Sequence, residues 1–175
     1  MRKPVKGLAV IIVVLIVFVG LMLATACQRS NEKAAEKMIE KALQKAGGGK
    51  ADIDLKNGKI SVKTDQGSSE FSAGGGEWPG DLPGDIPKIE NGKIKGVFRG
   101  SDGERKSWTI ALDGVDNQAY GKYIDELKAK GWEIIMNMTL EEGASAQIKK
   151  DKTMIILTFN KSQKSMGLSI NTGIE

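Results

Sequence analysis

At 175 residues the chain is long enough for one ordinary domain or two small ones. Lys and Arg number 26 against 22 Asp and Glu, for a net charge of +4. Arg2, Lys3 and Lys6 precede any acid, so residues 27–175 are almost neutral and no nucleic-acid partner is expected. With no histidine and a single cysteine, histidine triads, Cys/His zinc centres and an internal disulfide are excluded.

The basic head is followed by an uncharged run from Gly7 to Ala26, rich in Val, Ile and Leu. This is the form of a secretory signal, yet residues 8–26 approach the roughly 20 residues of a spanning helix. Signal peptide and membrane anchor both stay open on these grounds. The run ends in Leu23-Ala24-Thr25-Ala26-Cys27. That ending resembles the lipobox of bacterial lipoproteins, with Ala24 where such boxes usually carry Leu, Val or Ile. The resemblance implies cleavage before Cys27, a lipid on its sulfur, and residence on the outer side of a cell membrane. The other reading is a single-pass membrane protein with a small outer domain.

Ser30 and Asn31 are good helix caps, and Ala35, Met38, Ile39, Ala42, Leu43 and Ala46 recur at helical spacing. Gly47-Gly48-Gly49 ends this short amphipathic helix. Ile53, Leu55, Ile60 and Val62 then alternate with polar residues around Asn57-Gly58. The spacing predicts a hairpin with a two-residue turn, Leu55 opposite Ile60 and Ile53 opposite Val62. Glu70–Ala73 adds a third short strand. Residues 27–73 are thus expected to form a helix-plus-hairpin subdomain.

Residues 74–92 hold Pro79, Pro83 and Pro87, which exclude helix and central strand and predict an extended Gly/Pro-rich connector. Its Trp-Pro-x-x-Leu-Pro-x-x-Ile-Pro tract, starting at Trp78, resembles a segment of uncharacterised prokaryotic secreted lipoproteins. That resemblance implies no activity. Trp78 is expected to tuck into the fold, and Trp108 and Trp132 to lie in the core of their strands.

Residues 93–175 read as one domain. Strands are expected at Lys93–Arg99 and Ser107–Leu112, then a helix capped by Asp116 and closed by Gly131, with Tyr120, Tyr123, Ile124 and Leu127 on one face. Trp132, Ile134, Met136, Met138 and Leu140 alternate along the next strand, and three more follow at Ser145–Lys150, Thr153–Phe159 and Met166–Ile170. The fold class expected is α+β: an N-terminal apolar helix, a helix and hairpin, then a β-β-α-β-β-β-β antiparallel sheet with its helix across one face.

Motifs for chemistry are weak. Asp52 to Lys63 fails as a calcium loop because Lys56 and Lys63 hold ligand positions. Gly47-Gly48-Gly49-Lys50 fails as a phosphate loop because Ala51 follows the lysine. Ser30-Asn31-Glu32-Lys33 lacks the partner motifs of acyl-enzyme chemistry. Asp81 and Asp85, in matching Pro-Gly-Asp units, and Glu141-Glu142 are the carboxylate pairs, and all read as solvated turn residues. No catalytic, metal or cofactor-binding residue is expected, which leaves Cys27 as the one site residue. The function expected is a non-enzymatic binding or scaffolding module of the cell envelope, with an envelope protein or polymer as partner. The alternative is an envelope hydrolase using carboxylates or a serine.

Overall fold

The computed structural model describes residues 49–65 and 67–174, with Lys33, Glu36, Lys37, Glu40 and Lys41 of a helical segment before them. The apolar run, Cys27 and the caps Ser30 and Asn31 lie outside the described residues. No described helix is long and apolar enough to cross a membrane. The chain divides into two compact units between Asp65 and Gln66.

In the first unit, β1 (Lys50–Asp54) and β2 (Lys59–Thr64) form an antiparallel hairpin. Its register differs from the expected one. Ile53 faces Ile60 and Ala51 faces Val62, so the loop is Leu55–Gly58, four residues instead of two. Both registers put the same residues on the same face, which is why the alternation could not tell them apart. Local hydrogen bonds favour the longer loop. Asp54 accepts the Asn57 amide N–H at 3.0 Å and the Asn57 side-chain N–H at 2.6 Å, and Gly58 closes the loop at φ +63°. Glu36 Oε1 accepts the Leu55 amide at 3.0 Å, joining the helical segment to the same loop.

The second unit is built on one antiparallel sheet. Its strands are β3 (Gly67–Ala73), β4 (Lys93–Asp102), β5 (Arg105–Asp113), β6 (Glu133–Thr139), β7 (Gly143–Lys150), β8 (Thr153–Asn160) and β9 (Ser165–Thr172). They lie in the order β3-β4-β5-β9-β8-β7-β6. β3, grouped by the sequence reading with the hairpin, pairs here with β4. The single complete helix, α1 (Ala119–Ala129), carries the chain from β5 to β6 at the far edge, and the β6–β9 meander returns to pair with β5.

The expected α+β class is overturned. The described residues hold nine strands and one complete helix of 11 residues, so the protein is mainly β. The physical reason lies in the turns: strands read as short continue through polar residues, because the ladder needs backbone groups and not apolar side chains.

Alternation along the strands sends Ile110, Leu112, Ile148, Ile155, Leu157, Leu168 and Ile170 to one face, where all are buried. Tyr120, Tyr123, Ile124 and Leu127 of α1 cover that face, with Tyr120 stacked on Phe159 at 6.3 Å between ring centroids. Asp116, expected to cap the helix, lies two residues before its N-cap Gln118, and its Oδ1 accepts the amides of Gln118 and Ala119, both at 2.8 Å, in the turn that leads into the helix. At its end the Trp132 amide reaches Leu127 O and the Gly131 amide reaches Lys128 O, with Gly131 at φ +82°. This is the glycine-closed terminus the sequence implied.

β6 departs from the expected alternation. A register shift between Ile134 and Met136 leaves Ile134 facing buried Ile148 but turns Met136 to the outer face beside Gln147. Met136 and Met138 therefore do not join the face under the helix, and Ile135, Met138 and Leu140 are 50%, 48% and 65% exposed. Asn137 takes the inner position and accepts the Tyr120 hydroxyl at 2.7 Å.

The connector is a strap on the second unit's core. Ile86 and Ile89 are buried, and Trp78 and Leu82 pack against the same cluster. The apolar residues at every fourth position of the proline tract all pack inward, and the tract is not the extended connector expected: it turns at Gly80-Asp81 and again at Gly84-Asp85, where the Ile86 amide donates to Pro83 O at 3.0 Å. The Tyr123 hydroxyl donates to Pro87 O at 3.0 Å, and Asn91 donates to Asp116 at 3.2 Å.

Candidate functional site

The strap's two Pro-Gly-Asp units direct their carboxylates to different places. Asp85 Oδ2 pairs with Lys150 Nζ at 2.9 Å. The same ammonium donates to Lys130 O at 2.9 Å and lies 5.9 Å from the centre of the Trp132 ring. Lys150 thus ties the strap, the end of α1 and the start of β6 together, a structural role.

Asp81 turns to the other end of the sheet. Its Oδ2 accepts the Trp108 indole N–H at 3.0 Å and its Oδ1 accepts Arg99 Nε at 3.3 Å. Arg99 Nη1 donates in turn to Glu70 Oε1 at 3.1 Å. These groups line an open pocket of about 210 Å³ with Ser68, Gly100, Ser101 and Lys106. The strand registers place them together. Glu70 faces Arg99 and Arg99 faces Trp108, while Ser68 faces Ser101 and Ser101 faces Lys106. Ser68 Oγ and Ser101 Oγ are 2.9 Å apart and share a hydrogen bond.

Partial burial acts to raise the pKa of Asp81, but the Trp108 N–H and the Arg99 guanidinium outweigh it and hold the carboxyl below its ordinary value. It stays ionised at neutral pH, as a fixed acceptor. Tyr123 is shifted the other way: burial, with a smaller contribution from Glu126, raises its hydroxyl well above the usual tyrosine range.

The chain matches no family model, no curated protein and no solved structure. The site is therefore argued from its own residues.

Of the residues singled out in sequence, Cys27 lies outside the described residues. Asp81 and Asp85, read as solvated turn residues, are ion-paired, and they do not face each other as an acid–base pair. Glu141 and Glu142 are exposed in the β6–β7 turn, where Lys161 Nζ bonds Glu141 O at 3.0 Å. Trp108 and Trp132 are buried as core residues of the second unit, and Trp78 is tucked in.

Sequence reasoning missed Ser68, Arg99, Ser101 and Lys106 as a group. It ended β4 at Arg99 and began β5 at Ser107, whereas the strands run on to Asp102 and from Arg105. The signal that would have found them is Asp102-Gly103, an Asp-Gly pair at the hairpin tip.

Proposed function

We propose that this protein is a non-enzymatic binding or scaffolding module of the cell envelope, held on the outer side of a membrane by a lipid on Cys27. The apolar run of residues 7–26 and the lipobox-like Leu23–Cys27 ending support the attachment. The observation that carries the binding reading is the Glu70–Arg99–Asp81 bridge. Its two carboxylates converge on one guanidinium, and Asp81 is kept ionised, whereas a general acid needs a raised pKa. The neighbouring serines bond to each other, and the sequence has no histidine to activate either. A rigid set of donors and acceptors in an open pocket suits recognition.

Intact mass of the membrane-extracted protein tests the attachment. The expected species begins at Cys27, is heavier than residues 27–175 by its acyl groups, and leaves the membrane only with detergent. Two or more chains hold stably, each buried CH₂ contributing about 0.8 kcal/mol. The Cys27→Ser variant should keep its leader and lose the added mass. Full-length mass in both proteins would replace the lipid with a spanning anchor, and an unmodified species cut at Ala26 would make the protein soluble. Turnover of ester or glycoside substrates that disappears in Glu70→Gln or Asp81→Asn would replace the module with the hydrolase.

A further inference from the structure

We infer that the pocket beside Asp81 recognises a single ring of a neutral, hydroxyl-rich saccharide, an inference that rests on the binding-module reading and names its ligand class. Charge comes first. Two cations, Arg99 and Lys106, and two carboxylates, Glu70 and Asp81, line the same small space. An anion entering it would be opposed by both carboxylates, and an ammonium by both cations. A neutral ligand meets no such penalty.

The remaining bonding capacity sets the chemistry. Arg99 uses Nε and one hydrogen of Nη1 on Asp81 and Glu70, which leaves three N–H groups, one on Nη1 and two on Nη2. Glu70 Oε2 and the Lys106 ammonium have no ion-pair partner among the described residues. The Ser68 and Ser101 hydroxyls bond to each other through one hydrogen, so a second O–H and several lone pairs stay available. The wall thus offers donors and acceptors side by side. A sugar hydroxyl both donates and accepts, and a vicinal pair can take an Arg99 N–H while giving a proton to Glu70.

Size agrees with one ring. A volume of about 210 Å³ lies under the roughly 300–1,000 Å³ of pockets for drug-sized ligands. The pocket is open, so the ring can be free or part of a chain. Trp108 is 3% exposed and its indole is committed to Asp81, so it fixes the carboxylate and gives no stacking platform. Without stacking, affinity for one ring should be weak, with a Kd of about 1 mM.

The test is side-chain NMR of the full chain in detergent, following the Arg99 Nε–H and Trp108 indole signals. Four probes are titrated: methyl β-glucoside, chitotetraose, inorganic phosphate and ethanolamine. The inference expects saturable shifts with a saccharide and none of comparable size with phosphate or ethanolamine. A response to the glucoside identifies a free-sugar site, and a response to chitotetraose alone identifies a polymer site. Ser101→Ala and Lys106→Met, both in exposed or half-exposed positions, should melt like the parent and bind about fivefold more weakly. No saccharide shift overturns the inference, as does a stronger response to either ion or full affinity in both variants. The mass of the Cys27 species is a separate readout, so loss of the attachment reading and loss of the saccharide site are told apart.

Discussion

Asp81 is a short side chain that ties the strap to the sheet through Trp108 and Arg99. Replacing it with Ala leaves the Trp108 N–H without its partner, and should cost about 1–3 kcal/mol at pH 7. The folded carboxyl titrates below its unfolded value, so its contribution is present above about pH 4 and fades as pH falls through the folded pKa. Thermal melts of Asp81→Ala and the parent should therefore converge in acid. Glu70→Ala removes only an exposed partner of Arg99 and should cost less than about 1 kcal/mol. Gly58 gives a second prediction. At φ +63° it accepts a conformation that a β-branched residue resists, so Gly58→Val should weaken the hairpin by about 1–2 kcal/mol, read as a lower denaturant midpoint of the first unit. The positions of both residues in turns were legible from Pro-Gly-Asp and Asn-Gly. Their partners were not, because Trp108 and Arg99 are 27 and 18 residues away from Asp81, and no local pattern spans such distances.

Among elements, α1 was the most legible. Its apolar spacing and its Gly131 end are local and are found in the structure, while Asp116, expected as the cap, sits in the turn ahead of the N-cap residue Gln118 and accepts the Gln118 and Ala119 amides. Leu127 is fully buried beneath it, so Leu127→Ala should cost about 2–5 kcal/mol in chemical denaturation. The hairpin was legible as an element but not in its register, since a two-residue slip keeps every side chain on its face. β6 was legible as a strand, but its bulge was not. An unbroken alternation from Trp132 to Leu140 reads as one continuous face, and only pairing with β7 decides that Asn137 turns inward to Tyr120. The proline tract was legible as neither helix nor central strand, with apolar residues at every fourth position, but the extended course expected of it is broken by turns at Gly80-Asp81 and Gly84-Asp85. That the apolar residues close on a core became plain only with α1 and the sheet assembled, because local turns do not say which distant surface they cover.

For the molecule as a whole, Tyr123 links α1 to the strap and makes stability depend on alkaline pH. Its hydroxyl donates to Pro87 O, and burial with the nearby Glu126 raises its pKa. The unfolded tyrosine ionises from about pH 10 while the folded one stays neutral, so the stability it contributes is complete below that pH and declines above it. Tyr123→Phe should cost about 0.5–1.5 kcal/mol at neutral pH and flatten the alkaline limb of a melting-temperature profile. The sequence by itself determined the absence of histidine chemistry and of an internal disulfide, the uncharged apolar run from Gly7 to Ala26 before Cys27, and the order of strands around one helix in residues 93–175. These follow from composition and from periodicities of two and 3.6, which neighbouring residues express on their own. Tertiary structure alone decided the mainly-β class, the placing of the strap and the pocket of Ser68, Glu70, Asp81, Arg99, Ser101 and Lys106. Those depend on which strands become neighbours. Strand pairing is chosen by the burial of the whole sheet face, and polar residues carried along the ladder meet wherever that choice puts them.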